Sequence, residues 1–215
     1  VRQLDLMSRY FDAGFSERVL ELVRVAGPLH PMQRLPLAAL AFPALRRRPR
    51  RQLQVFVIAL RQLIEADGRV TLDEYCLAKL IGIQVIDALN PSASRVLGRI
   101  KLIDVATELA DLFSLVAAYG HDDIDGARRA YALGMREVIA EHVPAFAPPA
   151  EWAKALDRAL PRLDLLVPAG KELVVRGLTL AISADGRVNI GEAELLRTVC
   201  AALHCPLPPL LQKVA

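Results

Sequence analysis

A five-residue segment that occurs twice constrains the fold of this chain more than any other feature. Residues 66–70 read Ala-Asp-Gly-Arg-Val, and residues 184–188 repeat them without a change. Residues at the same separation on either side also match, and the clearest pairs are Leu60 with Leu178, Ile64 with Ile182, Glu74 with Glu192 and Leu77 with Leu195. Such a match indicates that one helix–turn–helix hairpin has been duplicated.

The glycine of each copy explains how the chain reverses direction there. Gly68 and Gly186 can adopt the left-handed conformation that ends a helix, which residues with a Cβ atom adopt only at a cost. The preceding Asp67 and Asp185 are expected to accept hydrogen bonds from the backbone N–H groups that follow them. Each copy is therefore predicted to be a tight corner between two helices.

The residues after each turn have the pattern of a capping box. Thr71 and Asn189 are favourable N-cap residues, and Glu74 and Glu192 follow them at the third position. The cap oxygen then accepts a bond from a backbone N–H group, and the glutamate accepts one from the N–H group of the cap residue. Each cap is expected to stabilise its helix by about 1 kcal/mol.

An EF-hand calcium loop is the alternative interpretation of the same residues. The second half of such a loop reads Asp-Gly-x-Val-x-x-x-Glu, but its first position needs an oxygen ligand, and Leu63 and Ala181 stand there. The carboxylates that a metal ion would use are Asp67, Glu74, Asp185 and Glu192. We expect these groups to bind backbone amides, and we predict neither a metal nor another cofactor.

Apolar residues recur with helical periodicity along almost the whole chain. In 53–64 they form one stripe at i, i+3, i+4 and i+7, and no convincing strand pattern occurs. The chain is 53% hydrophobic but only 5% aromatic, a composition that suits helices packed through aliphatic side chains. The sequence therefore predicts an all-α fold. The predicted helices cover 4–12, 16–26, 32–46, 50–65, 72–88, 92–119 (as one helix or two), 124–142, 149–166, 169–183 and 190–203.

Charge and cysteine content narrow the classes of function. A formal net charge of +3 is too small to indicate a nucleic-acid binder, and no apolar stretch is long and uncharged enough to span a bilayer. Three cysteines are too few for a disulfide framework, and they indicate a reducing compartment. Because the chain begins with Val1, we expect it to be a piece of a longer protein.

The paired turns and several other segments resemble a known family. Two Ala-Asp-Gly turns with a downstream glutamate, each between amphipathic helices, are similar to the TerB-like fold of tellurite-resistance B and the DjlA N-terminal domain. More narrowly, the chain resembles the C-terminal extension of bacterial HtpX-like membrane zinc metallopeptidases. The segments that carry this resemblance are 35–37, 43–46, 63–70, 74–75 and 200–211.

The resemblance implies an organisation as well as a fold. It implies two hairpins in one compact domain, a TerB-like helical bundle, related by a pseudo-twofold axis. A helical lead-in would occupy 1–30 and the TerB-like domain 31–215. The repeat hairpins would lie at about 35–88 and 153–204, joined by helices within 92–142.

The same resemblance implies a non-catalytic role at the cytosolic face of a bacterial membrane. The H-E-x-x-H motif of these peptidases is absent, because no histidine is followed by glutamate or lies four residues from another. The chain's histidines are His30, His121, His142 and His204. We therefore predict that this chain is no enzyme and regulates, or binds, a protein partner or an attached protease domain.

Two other classes of function are alternatives to this prediction. One is a metal-sensing TerB-like module involved in a tellurite-type stress response, which would use the four carboxylates of the turns. The other is a hydrolase with an unrecognised site, which predicts a concave pocket with convergent polar groups.

An arginine-rich segment lies between two predicted helices, around Pro49. Its members are Arg46, Arg47, Arg48, Arg50 and Arg51. Such a run is usually a solvated loop. As a functional patch it would contact a partner or the anionic inner face of a membrane, where each charge contributes about 1 kcal/mol. Nucleic acid is not an expected partner, because no aromatic residues interleave with the arginines to stack on bases.

Two further clusters contain residues that often ligate metals. Cys200, His204 and Cys205 are three soft ligands within six residues, but neighbouring ligands seldom reach one ion, and we expect small buried thiols at a helix end. The acidic segment 121–125 precedes a predicted helix, and we expect it to cap the N-terminus of that helix.

Overall fold

The computed structural model describes residues 2–12, 14–91 and 98–209, and this part of the chain contains helices but no strand. The predicted all-α class is thus confirmed. The helices are α1 (Arg2–Tyr10), α2 (Phe15–Ala26), α3 (Pro31–Arg46), α4 (Arg50–Ile64), α5 (Leu72–Leu89), α6 (Ala106–Gly120), α7 (Ile124–Val138), α8 (Trp152–Leu163), α9 (Pro168–Ile182) and α10 (Ile190–Ala202), with a 3-10 helix (Leu102–Val105) before α6. Among these described helices, none combines the length and the apolar character needed to cross a bilayer.

The chain divides into two compact units, Val1–Ala93 (unit 1) and Ser94–Ala215 (unit 2). Each unit contains one copy of the repeated turn, between α4 and α5 in unit 1 and between α9 and α10 in unit 2. The predicted bounds 1–30 and 31–215, and the pseudo-twofold axis, stay predictions. Within unit 1, α1 packs on α4, although the prediction places it in a separate lead-in.

Unit 1 consists of α1–α5 and has a small core. α5 packs against both α3 and α4. The buried apolar side chains include Leu35, Leu53, Tyr75, Cys76 and Val85. Several large apolar side chains on the outside of α2 and α3 are exposed, and they are Leu22, Val23, Val25, Leu37 and Leu40. Unit 1 therefore presents large apolar side chains to solvent along α2 and α3.

Unit 2 is built around α6, which contacts α7, α8, α9 and α10. Its side chains on several faces are buried, among them Leu109, Leu112, Phe113 and Val116. A helix that is apolar on most of its circumference belongs in the centre of a bundle, because every face must be covered. Most of the buried apolar residues described in this chain lie in unit 2.

A glycine pair allows the closest helix crossing in unit 2. α7 and α9 meet at Gly134 and Gly177, where a Cβ atom added to either glycine would lie 2.7 Å from the carbonyl oxygen of the other. The ring of Phe113 on α6 packs against the same crossing, 2.8 Å from the position of an added Cβ atom at Gly134. Because neither glycine has a side chain, the two helix backbones and the ring of Phe113 can pack closely at this crossing.

The prediction of helix over 92–119, as one helix or two, is wrong for residues 98–101. Residues 92–97 lie outside the described residues, and residues 98–101 are not helical. Ile100 instead pairs with the segment after α8, where its N–H donates to Leu165 O at 2.9 Å and its carbonyl accepts from Val167 N at 3.2 Å. This pairing between distant parts of unit 2 competes with the local helical bonds, so α6 begins only at Ala106.

Two other predicted helices are too long at their ends. α7 stops at Val138 instead of residue 142, and His142 has a positive φ of 56°, which a helix does not allow. α8 covers Trp152–Leu163 instead of 149–166, and Leu165, just after its end, accepts the bond from Ile100 N. The remaining predicted helices agree with the structure to within two residues at each end.

Candidate functional site

The two repeated turns have the predicted backbone conformation. Gly68 has φ 78° and Gly186 has φ 75°, both in the left-handed region. The Oδ1 atom of Asp67 accepts a hydrogen bond of 3.0 Å from Arg69 N, and Asp185 Oδ1 accepts one of 2.8 Å from the corresponding Arg187 N. Both aspartates therefore stabilise the corner by closing a short loop on their own backbone.

Both predicted capping boxes are present. In unit 1, Thr71 Oγ1 accepts from Glu74 N at 3.3 Å, and Glu74 Oε2 accepts from Thr71 N at 3.0 Å. In unit 2, Asn189 Oδ1 accepts from Glu192 N at 2.9 Å, and Glu192 Oε2 accepts from Asn189 N at 3.0 Å. The two helices that follow the turns thus begin with the same reciprocal pair of bonds.

The two copies differ in the burial of the capping glutamate. Glu74 is half-buried, whereas Glu192 is 2% exposed and its carboxylate lies against Gly120 at the end of α6. Asn189 Nδ2 also donates to Tyr119 O at 3.2 Å, which ties the turn of unit 2 to α6. Burial raises the pKa of Glu192 to about 7, although its bond from the Asn189 N–H opposes the shift.

In each unit the two carboxylates of the turn bind backbone amides. Asp67, Glu74, Asp185 and Glu192 each accept a hydrogen bond from a nearby backbone N–H group. Within residues 2–12, 14–91 and 98–209, no three His, Cys, Asp or Glu residues are grouped so that they could hold a metal ion.

The cysteine and histidine cluster at the end of α10 has other contacts. Cys200 is buried, which raises the pKa of its thiol to about 12. His204 Nδ1 lies 3.1 Å from Asp164 Oδ1, and Cys205 Sγ lies 3.5 Å from Leu203 O. The predicted small thiols at a helix end are present, with Cys200 buried and Cys205 half-buried.

The acidic segment before α7 acts as the predicted cap. Asp123 is the N-cap residue, and its Oδ1 atom accepts a bond of 2.7 Å from Gly126 N. This bond to the backbone lowers the pKa of the Asp123 carboxyl group. His121 Nδ1 lies 3.3 Å from the carbonyl oxygen of Ala117 in the preceding helix. The segment therefore belongs to the junction between α6 and α7.

The five arginines around Pro49 fall into different environments. Arg50, the first residue of α4, donates from Nη2 to Leu89 O at 2.9 Å and so binds a carbonyl group at the C-terminus of α5. Arg48 and Arg51 line a groove in unit 1, and both are exposed. Arg46 and Arg47 are exposed residues outside the lining of that groove.

The groove has a volume of about 970 Å³, which is the size of a ligand-binding cleft. We call it the basic groove. Its walls come from the α1–α2 region, from α3 and from the first half of α4, with one residue of α5. The large side chains that line it are Tyr10, Phe11, Phe15, Phe42, Leu45, Val55, Phe56 and Ile81. In a chain that is only 5% aromatic, this is a concentrated aromatic surface.

The charges at the edge of the basic groove are predominantly positive. Arg18 is neutralised by Asp12, with Arg18 Nη2 at 2.9 Å from Asp12 Oδ1. Arg48 and Arg51 form no ion pair with any residue of the described part of the chain. The groove thus combines a largely apolar lining with two exposed arginines that take part in no ion pair among the described residues.

Reasoning from the sequence identified the arginines but missed the groove. Its lining is drawn from four segments of unit 1, and only their packing brings these segments together. The aromatic residues Tyr10, Phe11 and Phe15 could have indicated the groove, because they lie close together in the sequence of an aromatic-poor chain. The rings of Phe11 and Phe15 stack with their centroids 4.2 Å apart.

No family model, no curated protein and no solved structure matches this chain. The resemblance to TerB-like domains and to the extension of membrane metallopeptidases therefore stays a prediction that depends on the quoted segments.

Proposed function

We propose that this chain is a non-catalytic regulatory module that binds a protein partner through the basic groove of unit 1. The observation that carries this proposal is the groove itself, an aromatic cleft of about 970 Å³ with two exposed arginines at its edge. Clefts of this kind, in which a few polar groups surround an apolar interior, are where proteins place their ligands.

The chemistry of the lining supports binding over catalysis. Among its described residues the groove presents no Ser, Thr, Cys, His or Glu side chain. Its single carboxylate, on Asp12, pairs with Arg18. A hydrolase needs a nucleophile or an activated water next to a base, and these residues supply neither.

The proposed setting of the module is the cytosolic face of a bacterial membrane, as the C-terminal part of a zinc metallopeptidase. The resemblance of segments 35–37, 43–46 and 200–211 supports this setting, although residues 210 and 211 lie outside the described residues. In that setting the groove would hold either another protein or a segment of the attached protease domain.

Metal sensing has less support than partner binding. In each unit, both carboxylates of the turn accept backbone hydrogen bonds, and the loop has an apolar residue where calcium requires its first ligand. A metal ion would have to break these bonds before it could recruit the same oxygens.

A substitution in the wall of the groove tests the proposed function. Ala41 is an exposed residue of α3 that lines the groove, and Ala39 is an exposed residue of the same helix outside it. Ala41→Glu, introduced into the gene in its native cells, is expected to reduce the recovery of crosslinked partner proteins at least tenfold. It should also change the activity of the attached peptidase, since the groove would be blocked by the added charge.

Ala39→Glu is the matched control, because it adds the same side chain to the same helix. The proposal predicts wild-type partners and wild-type activity for this variant. If Ala41→Glu altered neither the set of partners nor peptidase activity, the groove would not be the functional surface of the chain.

A further inference from the structure

We propose that the occupant of the basic groove is an amphipathic α-helix of a partner protein, with acidic residues at one end of its apolar face. This inference rests on the proposed function and specifies the partner's chemistry. Its basis is the shape of the groove walls, the size of the residues on α3 and the position of the two arginines.

One wall of the groove is a continuous stripe along α3. Ala38, Ala41, Phe42 and Leu45 recur at helical spacing, and Arg48 continues the stripe just beyond the end of the helix. Ten residues of α-helix span about 15 Å. The opposite wall includes Gln52, Val55 and Phe56 of α4, which also recur at helical spacing. The α3 stripe suits a rod-shaped ligand of about three helical turns, and the α4 segment 52–56, which spans about 6 Å, would contact part of it.

The size of the side chains on α3 allows a second helix to come close. Because Ala38, Ala41 and Ala44 have small side chains, a ligand in the groove can approach the backbone of α3 closely. Next to them, Leu37 and Leu40 are 47% and 78% exposed, and so they extend the apolar surface beyond the groove. A bound helix would cover this surface as well as the interior, which is how amphipathic helices bind to apolar grooves.

The positions of the arginines give the groove a direction. Arg48 and Arg51 lie at the junction of α3 and α4, which is one end of both walls. Carboxylates of the ligand above this junction would form charge-assisted hydrogen bonds with guanidinium groups that have no ion-pair partner within the described part of the chain. Lysines in the same places would be repelled, so charge would set the orientation of the helix.

An anionic membrane surface is a less suitable partner for the same residues. The aromatic side chains of the groove line a cleft between helices, and a flat bilayer would meet only its edges. In a membrane-binding patch, all five arginines would contribute through their charge. In the basic groove only Arg48 and Arg51 contribute, whereas Arg46 and Arg47 lie outside the lining. This difference allows the two partners to be distinguished.

A display library of alanine-based helical peptides of 18 residues tests the proposal with the full 215-residue chain as bait. Eight positions on one face are varied, and the selected peptides are then measured by fluorescence anisotropy. We expect enrichment of apolar residues at i, i+3 or i+4, and i+7, with Asp or Glu in one terminal turn. Replacing these acidic residues with Lys should weaken binding at least tenfold.

Variants of the chain assign the binding to the groove. Arg48→Glu/Arg51→Glu and Ala41→Glu should each weaken peptide binding at least tenfold, while the matched Arg46→Glu/Arg47→Glu and Ala39→Glu variants should bind as the unaltered chain does. Circular dichroism spectra that match the unaltered chain confirm that the variants are folded. Absence of enrichment, enrichment of basic peptides, or equal losses in the two arginine pairs would overturn the proposal.

Vesicles of phosphatidylglycerol and of phosphatidylcholine form a separate arm of the experiment. If no peptide is selected, and if binding to the anionic vesicles falls equally in the two double-arginine variants, the partner of these residues is a membrane surface and not a helix. If no peptide is selected but Ala41→Glu still alters peptidase activity in cells, this inference fails and the proposed function stands. If peptides are selected but that variant is silent in cells, the proposed function fails instead.

Discussion

At the scale of single residues, the repeated turn shows that one sequence motif can have two electrostatic environments. Glu74 and Glu192 make the same bonds to their capping partners, yet only Glu192 is buried, against Gly120 and near Tyr119. Both capping boxes followed from the spacing of Thr71 and Asn189 to these glutamates. The burial of one of them did not, because it depends on the packing of α6 in unit 2.

The raised pKa of Glu192 predicts a specific dependence of stability on pH. The folded state holds the proton up to pH about 7, whereas the unfolded chain releases it near the ordinary value of 4.5. The contribution of this group to the free energy of unfolding is therefore complete below about pH 4.5 and falls as the pH rises to about 7. The loss should be about 3 kcal/mol.

Glu192→Gln should remove this part of the dependence, because the amide has no proton to release and its oxygen can still accept the bond from Asn189 N. The measurement is urea unfolding of both proteins at several pH values from 4.5 to 8. Glu74→Gln is the matched control and should keep the slope of the unaltered chain. An unchanged slope in Glu192→Gln would show that this carboxyl group is not the source.

At the scale of helices, the structure separates what local sequence determines from what packing determines. α5 and α10 begin where their capping boxes predict, and α9 begins at Pro168, where proline is favourable in the first turn. The late start of α6 was missed, because the bonds of Ile100 to Leu165 and Val167 join segments far apart in the sequence. The basic groove was missed for the same reason, since its walls come from helices whose packing no single segment encodes.

Because α7 and α9 cross closely, one added methyl group at the crossing is expected to lower the stability of the protein. Gly134→Ala or Gly177→Ala would place a Cβ atom 2.7 Å from a backbone oxygen, so the helices of unit 2 would have to separate. We expect each substitution to lower the free energy of unfolding by about 1–3 kcal/mol, as overpacking does in protein cores. Thermal and urea unfolding, monitored by circular dichroism, measure this change.

Gly82→Ala is the control for helix propensity. Gly82 lies inside α5, and an added Cβ atom there meets no atom within 4 Å. Alanine should raise stability at this position by about 0.5–1 kcal/mol, because it favours the helix over the unfolded chain. A similar gain at Gly134 or Gly177 would contradict the tight crossing.

At the scale of the whole molecule, the two units carry the repeated turn in different surroundings. Unit 2 has a large core centred on α6, against which the capping Glu192 of its turn is buried, whereas unit 1 has a small core and the basic groove. We infer from this contrast that unit 2 serves mainly as a stable body and that unit 1 carries the binding surface. An exposed apolar surface of this kind is a common mark of an interaction site.

Photo-crosslinking in native cells tests directly whether the basic groove binds a protein, with a benzophenone amino acid placed at residue 41 or at residue 39 of the full-length protein. We expect an adduct with a discrete protein from position 41 only, and loss of that adduct in the Arg48→Glu/Arg51→Glu background. An absence of any protein adduct at position 41, or the same adduct from both positions, would contradict a partner-binding role for the basic groove.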